Sequence, residues 1–308
     1  MNFQQLRIVR ETVRQNFNLT EVAEALFTSQ PGVSKHIKDL EDELGVELFV
    51  RKGKRLIGMT EPGKELIGIV ERLLLDAQNI KQLADQFTQK DEGQLVVATT
   101  HTQARYVLPK VVKAFKDAFP KVHLVLHQGS PSEIVSMLQT GLADIGIATE
   151  ALDAATEIAT FPYYQWRHAL IVPKGHPLES VKELTLKEIA DYPIITYHEG
   201  FTGRSQLDMA FSDAGLLPDI VMSALDADVI KAYVELGLGV GIVASMAYYE
   251  DRDVNLTLPP SEHLFRLNTT LIGVRKGHYL RGFAYKFIEL CAAEHSEAVV
   301  RAQASQVV

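Results

Sequence analysis

Residues 28–44 read TSQPGVSKHIKDLEDEL, and this stretch decides how the N-terminal part of the chain folds. Ser29 is suited to cap a helix, and Pro31 falls in the first turn, where its missing N–H costs nothing. One helical face carries the apolar residues Val33, Ile37, Leu40 and Leu44. The stretch therefore predicts a helix with one buried face.

The opposite face of this helix is polar and basic. Gln and Ser side chains can bond to base edges, and Lys can reach phosphate or guanine. The candidate DNA-contacting residues are Thr28, Ser29, Gln30, Pro31, Ser34, Lys35 and Lys38. The alternative is a solvated face in an ordinary helical bundle.

Two shorter helices are predicted before it. The first has an apolar stripe formed by Phe3, Leu6, Val9 and Val13. Asn18 is expected to cap the second, with Glu21 completing a capping box. Its buried side is expected to consist of Val22, Ala25 and Leu26. Two short helices, a tight turn and a third helix with a basic face are typical of a helix-turn-helix.

A basic hairpin is predicted directly after these helices. Residues 47–50 and 56–59 read as two strands around the turn residue Gly53. The cations beside that turn are Arg51, Lys52, Lys54 and Arg55. A basic hairpin after a recognition helix is typical of a wing that contacts phosphates or enters the minor groove.

A long helix should follow Thr60. Its apolar residues recur in steps of four and three at Leu66, Val70, Leu73, Ala77, Ile80, Ala84 and Phe87. This heptad seam favours a dimer contact, and the alternative is a helix packed on its own domain. A dimer suits DNA, because two recognition helices about 34 Å apart read adjacent major grooves. The polar residues 89–93 are expected to end the helix as a hinge.

Charge is unevenly distributed along the 308 residues. The net charge is −8, yet residues 1–64 hold ten basic and nine acidic side chains. This asymmetry favours a small unit that faces nucleic acid. A single cysteine, no signal peptide and no apolar run of about 20 residues lead us to expect a cytoplasmic protein without a membrane span.

Strand and helix patterns alternate from residue 94 onward. The predicted strands cover 95–98, 123–127, 144–148, 168–172, 194–197, 221–224, 240–244 and 270–274. The predicted helices cover 103–119, 186–191, 203–214, 227–236 and 278–293, with another capped by Ser130 and Glu133. Such alternation predicts parallel sheets covered by helices, and the length favours two lobes with a cleft between them.

The predicted fold is therefore a multidomain α+β protein. Its parts are an all-α winged helix-turn-helix, a long linker helix and a two-lobed α/β effector domain. The expected bounds are 1–59 for the DNA-binding domain, 60–92 for the linker with its hinge, and 93–308 for the effector domain. Within the effector domain we expect lobe I near 93–163 and 267–308, and lobe II near 164–266.

Polar clusters follow several of the predicted strands. Hydroxyls and free N–H groups at helix N-termini can bind an anion without a cation. The candidate effector-binding residues are Thr99, Thr100, Thr102, Gln103, Gln128, Ser130, Thr149, Thr202, Gly203 and Ala227. The alternative is that these residues only cap helices, and Arg204 could either add charge or stabilise its lobe.

Catalysis has little support in the sequence. No GxSxG, P-loop or HExxH motif is present, and the histidines are scattered. We therefore expect no enzyme activity, no catalytic residues, no metal and no cofactor. The competing interpretation is a solute-binding or enzymatic α/β protein with an unrelated helical N-terminus.

The motifs resemble those of the LysR-type transcriptional regulators. Residues 28–35, 40–45 and 48–49 look like the family's DNA-binding signature, and residues 60–63 look like the start of its linker helix. A narrower resemblance to the sulfur-assimilation branch, the CysB- and Cbl-like regulators, lies in residues 99–106, 127–131, 200–205 and 226–231.

This resemblance implies a fold like periplasmic binding proteins and a homotetramer that activates genes of sulfur assimilation, cysteine biosynthesis or sulfonate use. It implies promoter DNA as a partner, with RNA polymerase as a further candidate. The implied effectors are acetylserine, sulfate, thiosulfate or adenosine phosphosulfate. The implied anion-binding positions are Thr100, Thr102, Gln103, Thr149, Thr202 and Ala227. A regulator of another metabolic pathway stays open. The chain departs from the branch by ending soon after its last predicted helix, which bears on assembly.

Overall fold

The computed structural model describes residues 1–88 and 91–304. The chain divides into two units, Met1–Asp85 and Gln86–Val308. The first unit contains the helices α1 (Phe3–Arg14), α2 (Leu19–Ala25) and α3 (Gln30–Leu44), then the strands β1 (Phe49–Lys52) and β2 (Arg55–Met59). Helix α4 (Glu61–Thr88) begins in the first unit and ends in the second.

Helix α3 begins and ends as its sequence predicts. Ser29 Oγ accepts a hydrogen bond from the N–H of Gly32 at 3.3 Å, and Pro31 lies in the first turn. Gly45 ends the helix with a φ of 70°, in the left-handed region that favours glycine. The cap of α2 differs from the prediction, because Glu21 accepts from the Asn18 side chain at 2.8 Å and no capping box forms.

The buried face of α3 is the centre of the first core. That core consists of Ile8, Val9, Val22, Ala23, Val33, Ile37, Leu40, Leu48, Phe49 and Leu56. Burial of Phe3, Ala25 and Leu44 is wrongly predicted, since all three are exposed. Each is the first or last residue of its helix.

A buried carboxylate fixes the hairpin to α3. Glu41 accepts hydrogen bonds from the N–H groups of Leu48, at 2.8 Å, and Phe49, at 3.3 Å. Its other oxygen accepts from Arg51 at 2.7 Å. The predicted hairpin is confirmed, but β1 and β2 extend further toward the turn than predicted, so Arg51, Lys52 and Arg55 lie within strands.

Helix α4 uses its apolar residues for two purposes. Val70 and Leu74 pack with Leu6 of α1. Val70 was predicted to lie in the dimer seam, but it is buried against α1 instead. Several other large apolar side chains of α4 are exposed: Ile69, Leu73, Ile80, Leu83 and Phe87. The predicted polar hinge at 89–93 includes Gln89 and Lys90, which lie outside the described residues.

The second unit contains two five-stranded sheets. Lobe I holds β3 (Gly93–Thr99), β4 (Val122–Gln128), β5 (Ile145–Ala148), β6 (Ile158–Trp166) and β12 (Asn268–Arg275), in the order β4-β3-β5-β12-β6. Its helices are α5 (Leu108–Ala118), α6 (Pro131–Thr140), α10 (Gly282–Cys291) and α11 (Glu297–Ala304). A π-helical turn at Gln103–Val107 replaces the start of the helix predicted from residue 103.

Lobe II is built on the same plan. Its strands are β7 (His168–Pro173), β8 (Ile194–Tyr197), β9 (Ile220–Ala224), β10 (Val240–Ala244) and β11 (Leu256–Thr257), in the order β11-β7-β10-β8-β9. Its helices are α7 (Leu186–Ala190), α8 (Arg204–Asp213) and α9 (Ala227–Glu235). Short 3₁₀ turns lie at Pro177–Ser180, Ser245–Ala247 and Glu262–Leu264.

Neither sheet is wholly parallel, which corrects the prediction. In each sheet three strands are parallel, and the strands by which the chain changes lobes are antiparallel. The chain leaves lobe I along β6, enters lobe II at His168 and returns at Asn268, so β6 and β12 run in opposite directions. Strand β6 escaped prediction because Pro162 interrupts it, and the register with β12 shifts beside that proline.

None of the helices within residues 1–88 and 91–304 is both long enough and apolar enough to cross a membrane.

The close approach of α4 to the hairpin generates a stability prediction. A Cβ on Gly63 would lie 2.2 Å from the carbonyl oxygen of Leu48, whereas one on Gly68 would meet nothing closer than 3.8 Å. Gly63→Ala should therefore destabilise the protein by about 1–3 kcal/mol, because the backbones must separate. Gly68→Ala, in the same helix, should stabilise it by about 0.5–1 kcal/mol. Urea unfolding followed by far-ultraviolet circular dichroism measures both, and equal stability of the two variants would contradict the packing argument.

Candidate DNA interface and effector cleft

The exposed face of α3 carries the predicted DNA-contacting residues. Thr28, Ser29, Gln30, Pro31, Lys35 and Lys38 are exposed, and Ser34 is half-buried. The Gln30 amide donates to Ser34 Oγ at 3.1 Å, so the two side chains are already oriented as a pair. With this face exposed, α3 can enter a major groove so that its first turns lie closest to the bases.

The wing residues divide between two concave surfaces. Lys54 and Arg55 line one with Gln30, beside the start of α2. Arg51 lines the other with Ser34 and Lys38, together with the acidic residues Glu41, Asp42 and Glu47. The structure therefore joins the wing to the recognition helix, and the surface that Lys38 lines holds three carboxylates and two cations.

The cations of the wing differ in what they contact. Arg51 forms an ion pair with the buried Glu41 at 2.7 Å, which holds the guanidinium against α3. Lys52, Lys54 and Arg55 are exposed. Their positions at and beside the hairpin turn are those from which cations can reach phosphates.

Phe27 is a candidate that the sequence reasoning missed. Its side chain is 99% exposed in the turn between α2 and α3, and its φ is 51°. A positive φ is rare for a bulky residue. The signal in the sequence was an aromatic residue that breaks the apolar stripe of α2 two positions before the predicted cap, Ser29.

Buried threonines lie where the two lobes meet, a region that we call the interlobe cleft. Thr99 ends β3 and donates to the carbonyl oxygen of Ile147, a bond that holds two strands together. Thr100 is buried at the same strand end. Thr102 of lobe I and Thr202 of lobe II are both buried, with their hydroxyl oxygens 3.5 Å apart. The predicted polar clusters thus do meet at the carboxyl ends of the strands.

A hydrogen-bonded network in lobe I supports this surface. Thr270 Oγ1 accepts from Gln103 at 3.4 Å and from the Trp166 indole at 3.1 Å, and it lies 3.3 Å from Thr149 Oγ1. Tyr164 donates to Gln103 Oε1 at 2.6 Å. Gln103 and Thr149 were predicted. Thr270, Trp166 and Tyr164 were missed, since β6 was not recognised and β12 was given no site role.

The remaining predicted effector residues, and Arg204, lie at strand and helix ends. Ser130 caps α6 in a capping box with Glu133, the alternative considered for it. Gln128 is exposed at the end of β4. Ala227 is buried in the first turn of α9, which Asp226 caps. Arg204 is buried and donates to Asp208 and to the Tyr197 carbonyl, so it stabilises its lobe.

The two lobes come into close contact at Gly203. Its N–H donates to the Glu150 carboxylate of lobe I. A Cβ at this position would lie 2.5 Å from Asn268 Oδ1 and 2.8 Å from His168 Cε1. The φ of 71° also favours glycine, so both the space and the backbone conformation require it. The predicted donor at Gly203 therefore exists, and Glu150 uses it here.

Burial shifts the pKa of two side chains in the cleft. It raises the pKa of Glu150 to about 7, although the hydrogen bond from Gly203 opposes this. It lowers the pKa of His168 to about 4, so that imidazole is neutral near pH 7. Neutral His168 then donates its Nε2–H to the carbonyl oxygen of Thr202 at 2.9 Å.

Asp228 links the lobes at a second point. It accepts from Tyr106 at 2.6 Å and from Arg105 at 3.1 Å, both of lobe I. Burial alone would raise the pKa of Asp228, but these bonds and the charge of Lys231 outweigh it and lower that pKa. This carboxylate is therefore ionised and already paired.

One group of side chains could be considered for a metal ion. Ligand atoms of His101, Asp226 and Asp228 lie within 4.8 Å of one another. Asp228 already balances Arg105 and Lys231, and Asp226 caps α9. A cation would have to displace these partners, so we assign no metal to the group.

A winged helix-turn-helix unit and a two-lobed α/β unit with a polar cleft together define a DNA-binding transcriptional regulator with an effector domain. The family model "Bacterial regulatory helix-turn-helix protein, lysR family" matches residues 3–64, and the model "LysR substrate binding domain" matches residues 88–296. The chain therefore belongs to the LysR family, which makes it a regulator rather than an enzyme.

Particular relatives are similar over nearly the whole chain. The HTH-type transcriptional regulator SsuR of Burkholderia cenocepacia is 61% identical over 300 residues, covering 97% of each chain. The regulator Cbl of Escherichia coli is 54% identical over 303 residues, covering 98% of this chain and 96% of its own. The crystal structure of the Cbl cofactor-binding domain matches with a TM-score of 0.68 and 49% identity, covering 70% of this chain and 95% of that one.

Proposed function

We propose that this LysR-type regulator activates genes of sulfur assimilation or sulfonate use in the cytoplasm, in response to a small oxyanion or acetylserine. The observation that carries this proposal is the interlobe cleft, in which buried hydroxyls and helix N-termini converge. Such groups bind anions by directed donors without a balancing cation. The similarity to SsuR and Cbl supports the sulfur-related role.

The effector site of the proposal is centred on Thr102 and Thr202. Their hydroxyls approach each other from opposite lobes, so a ligand held by both would connect the lobes. Thr100, Thr149 and the backbone of Ala227 lie at neighbouring strand and helix ends and complete the proposed donor set. Gln103 is held by Thr270 and Tyr164, which orients its amide.

The DNA site of the proposal is the exposed face of α3 with the wing. Gln30 and Ser34 would read base edges, Lys35 would contact guanine or phosphate, and Lys54 and Arg55 would contact the backbone. Phe27 extends this surface with an apolar ring, which suits contact with a thymine methyl group.

Regulators of this family bind promoter DNA and small effectors, and they oligomerise. For this chain we propose a dimer through the exposed apolar residues of α4, two such dimers in a tetramer, and RNA polymerase as a partner at the promoter. Effector binding would act by favouring one of two arrangements, which requires unequal affinity for them. A LysR-type regulator of another pathway is the second candidate.

The first experiment tests the DNA surface. Gln30→Ala combined with Lys35→Ala should weaken operator binding by about 100-fold or more, since each good base contact contributes about 1–3 kcal/mol. Lys54→Ala should weaken operator and random DNA equally and reduce the salt dependence. Fluorescence anisotropy with both DNAs measures this, and Lys113→Ala, which changes an exposed lysine of the second unit that is paired with Asp117, is the control. Unchanged operator preference of the double variant would contradict the assignment.

The second experiment tests the dimer. Leu73→Glu places a charge among the exposed apolar residues of α4 and should shift sedimentation toward the monomer. Arg72→Glu changes the charge of the neighbouring exposed residue by more and should leave the dimer intact. If Leu73→Glu sediments like the unaltered protein, α4 is not the interface.

The third experiment tests the effector class. At least one of sulfate, thiosulfate, acetylserine and adenosine phosphosulfate should raise the unfolding temperature, because a ligand that binds only the folded state stabilises it. Thr202→Val should abolish that rise, whereas Thr140→Val, which removes a hydroxyl bonded within α6, should preserve it. A thermal-shift series measures both, and no response to any of the four ligands would refute the proposed class.

A further inference from the structure

Glu150 is the acidic side chain that the anion-binding proposal leaves unexplained. It follows Thr149 at the end of β5, and it crosses to lobe II to accept the N–H of Gly203 at the start of α8. A carboxylate therefore occupies a helix N-terminus, the kind of position at which anionic ligands bind.

The second oxygen of this carboxylate is the informative one. Within the described part of the chain, buried Oε2 of Glu150 has no hydrogen-bond partner. Both amide atoms of Asn268, which also lies against Gly203, are buried and unbonded among the described residues. Buried polar atoms of the half-buried Glu150 and of the buried Asn268 thus have unused bonding capacity beside one glycine, which is costly unless a ligand uses it.

The charges around Glu150 do not neutralise it. His168 packs against the same glycine and is neutral near pH 7 because burial lowers its pKa to about 4. Arg204 follows Gly203, but its guanidinium is bound to Asp208 and the Tyr197 carbonyl. Asn268, from β12, carries no charge. An ionised Glu150 would therefore repel a fully ionised oxyanion in this cleft.

We propose that Glu150 determines effector specificity by accepting a hydrogen bond from the effector. A ligand with its own proton beside the anionic group, such as a hydroxyl, an N–H or hydrogen phosphate, can bind the ionised carboxylate directly. A fully ionised oxyanion such as sulfate has no such proton, so it binds only together with one proton, which goes onto Glu150. This inference rests on the proposed anionic effector of the cleft.

The environment of Glu150 makes this proton uptake accessible near neutral pH, since burial raises its pKa to about 7. Below about pH 7 the carboxyl is already protonated and sulfate binds at full affinity. Above that pH the Glu150 carboxyl of the free protein is increasingly ionised. The affinity for sulfate therefore falls by up to about tenfold for each further pH unit.

Isothermal titration calorimetry in two buffers of different ionisation enthalpy measures the proton uptake. With inorganic sulfate at about pH 8, the unaltered protein should take up close to one proton per ligand. With inorganic phosphate at that pH, present as hydrogen phosphate, it should take up almost none. Glu150→Gln should bind sulfate without proton uptake and without pH dependence, because its amide can donate. Glu199→Gln removes the same charge from an exposed residue and should behave like the unaltered protein.

Sulfate binding without proton uptake by the unaltered protein would overturn the inference while leaving the oxyanion effector in place. So would a Glu150→Gln variant that retains the pH dependence. Binding of neither sulfate nor phosphate would overturn the inorganic-oxyanion effector and this inference together. The measurement on the unaltered protein decides the question even if the variant fails to fold.

Discussion

The antiparallel pairing of β6 with β12 is the constraint on which the effector unit depends. These two strands carry the chain out of lobe I and back into it, so the residues at their ends must lie where the lobes meet. Trp166, Asn268 and Thr270 reach the cleft in this way. Because Thr270 contacts both Gln103 and Thr149, the crossing also orients side chains that come from distant parts of the sequence. The cleft is a direct result of how the chain changes lobes.

In the DNA-binding unit a single carboxylate has a comparable role. Glu41 lies on the buried side of α3, yet it holds the start of β1 and the guanidinium of Arg51. The orientation of the wing therefore depends on the same helix that presents Gln30 and Lys35. Moving that helix would also move the basic hairpin, so the proposed base-reading and phosphate-reading surfaces shift together.

Local patterns predicted much of this structure. The cap at Ser29, the apolar face of α3 and the polar strand ends could all be read from neighbouring residues, because their physics is local. The failures have non-local causes. Strand β6 was not predicted because Pro162 interrupts it, and its place depends on pairing with β12. Val70 is buried against Leu6, which lies more than sixty positions earlier in the sequence. Glu150 lies close after a predicted strand, but its partner Gly203 lies 53 positions away, so no periodicity in the sequence could reveal the contact.

The carboxylates on the surface that Lys38 lines would affect how the proposed DNA site searches a chromosome. Glu41, Asp42 and Glu47 line the same concave surface as Ser34, Lys38 and Arg51. Carboxylates beside the phosphates reduce the counterion release that drives binding to arbitrary DNA. If the proposed DNA site is correct, residence on random sequence would thereby be shortened. A regulator with a net charge of −8 can in this way spend less of its time on the far more numerous wrong sites, which raises occupancy of the right one.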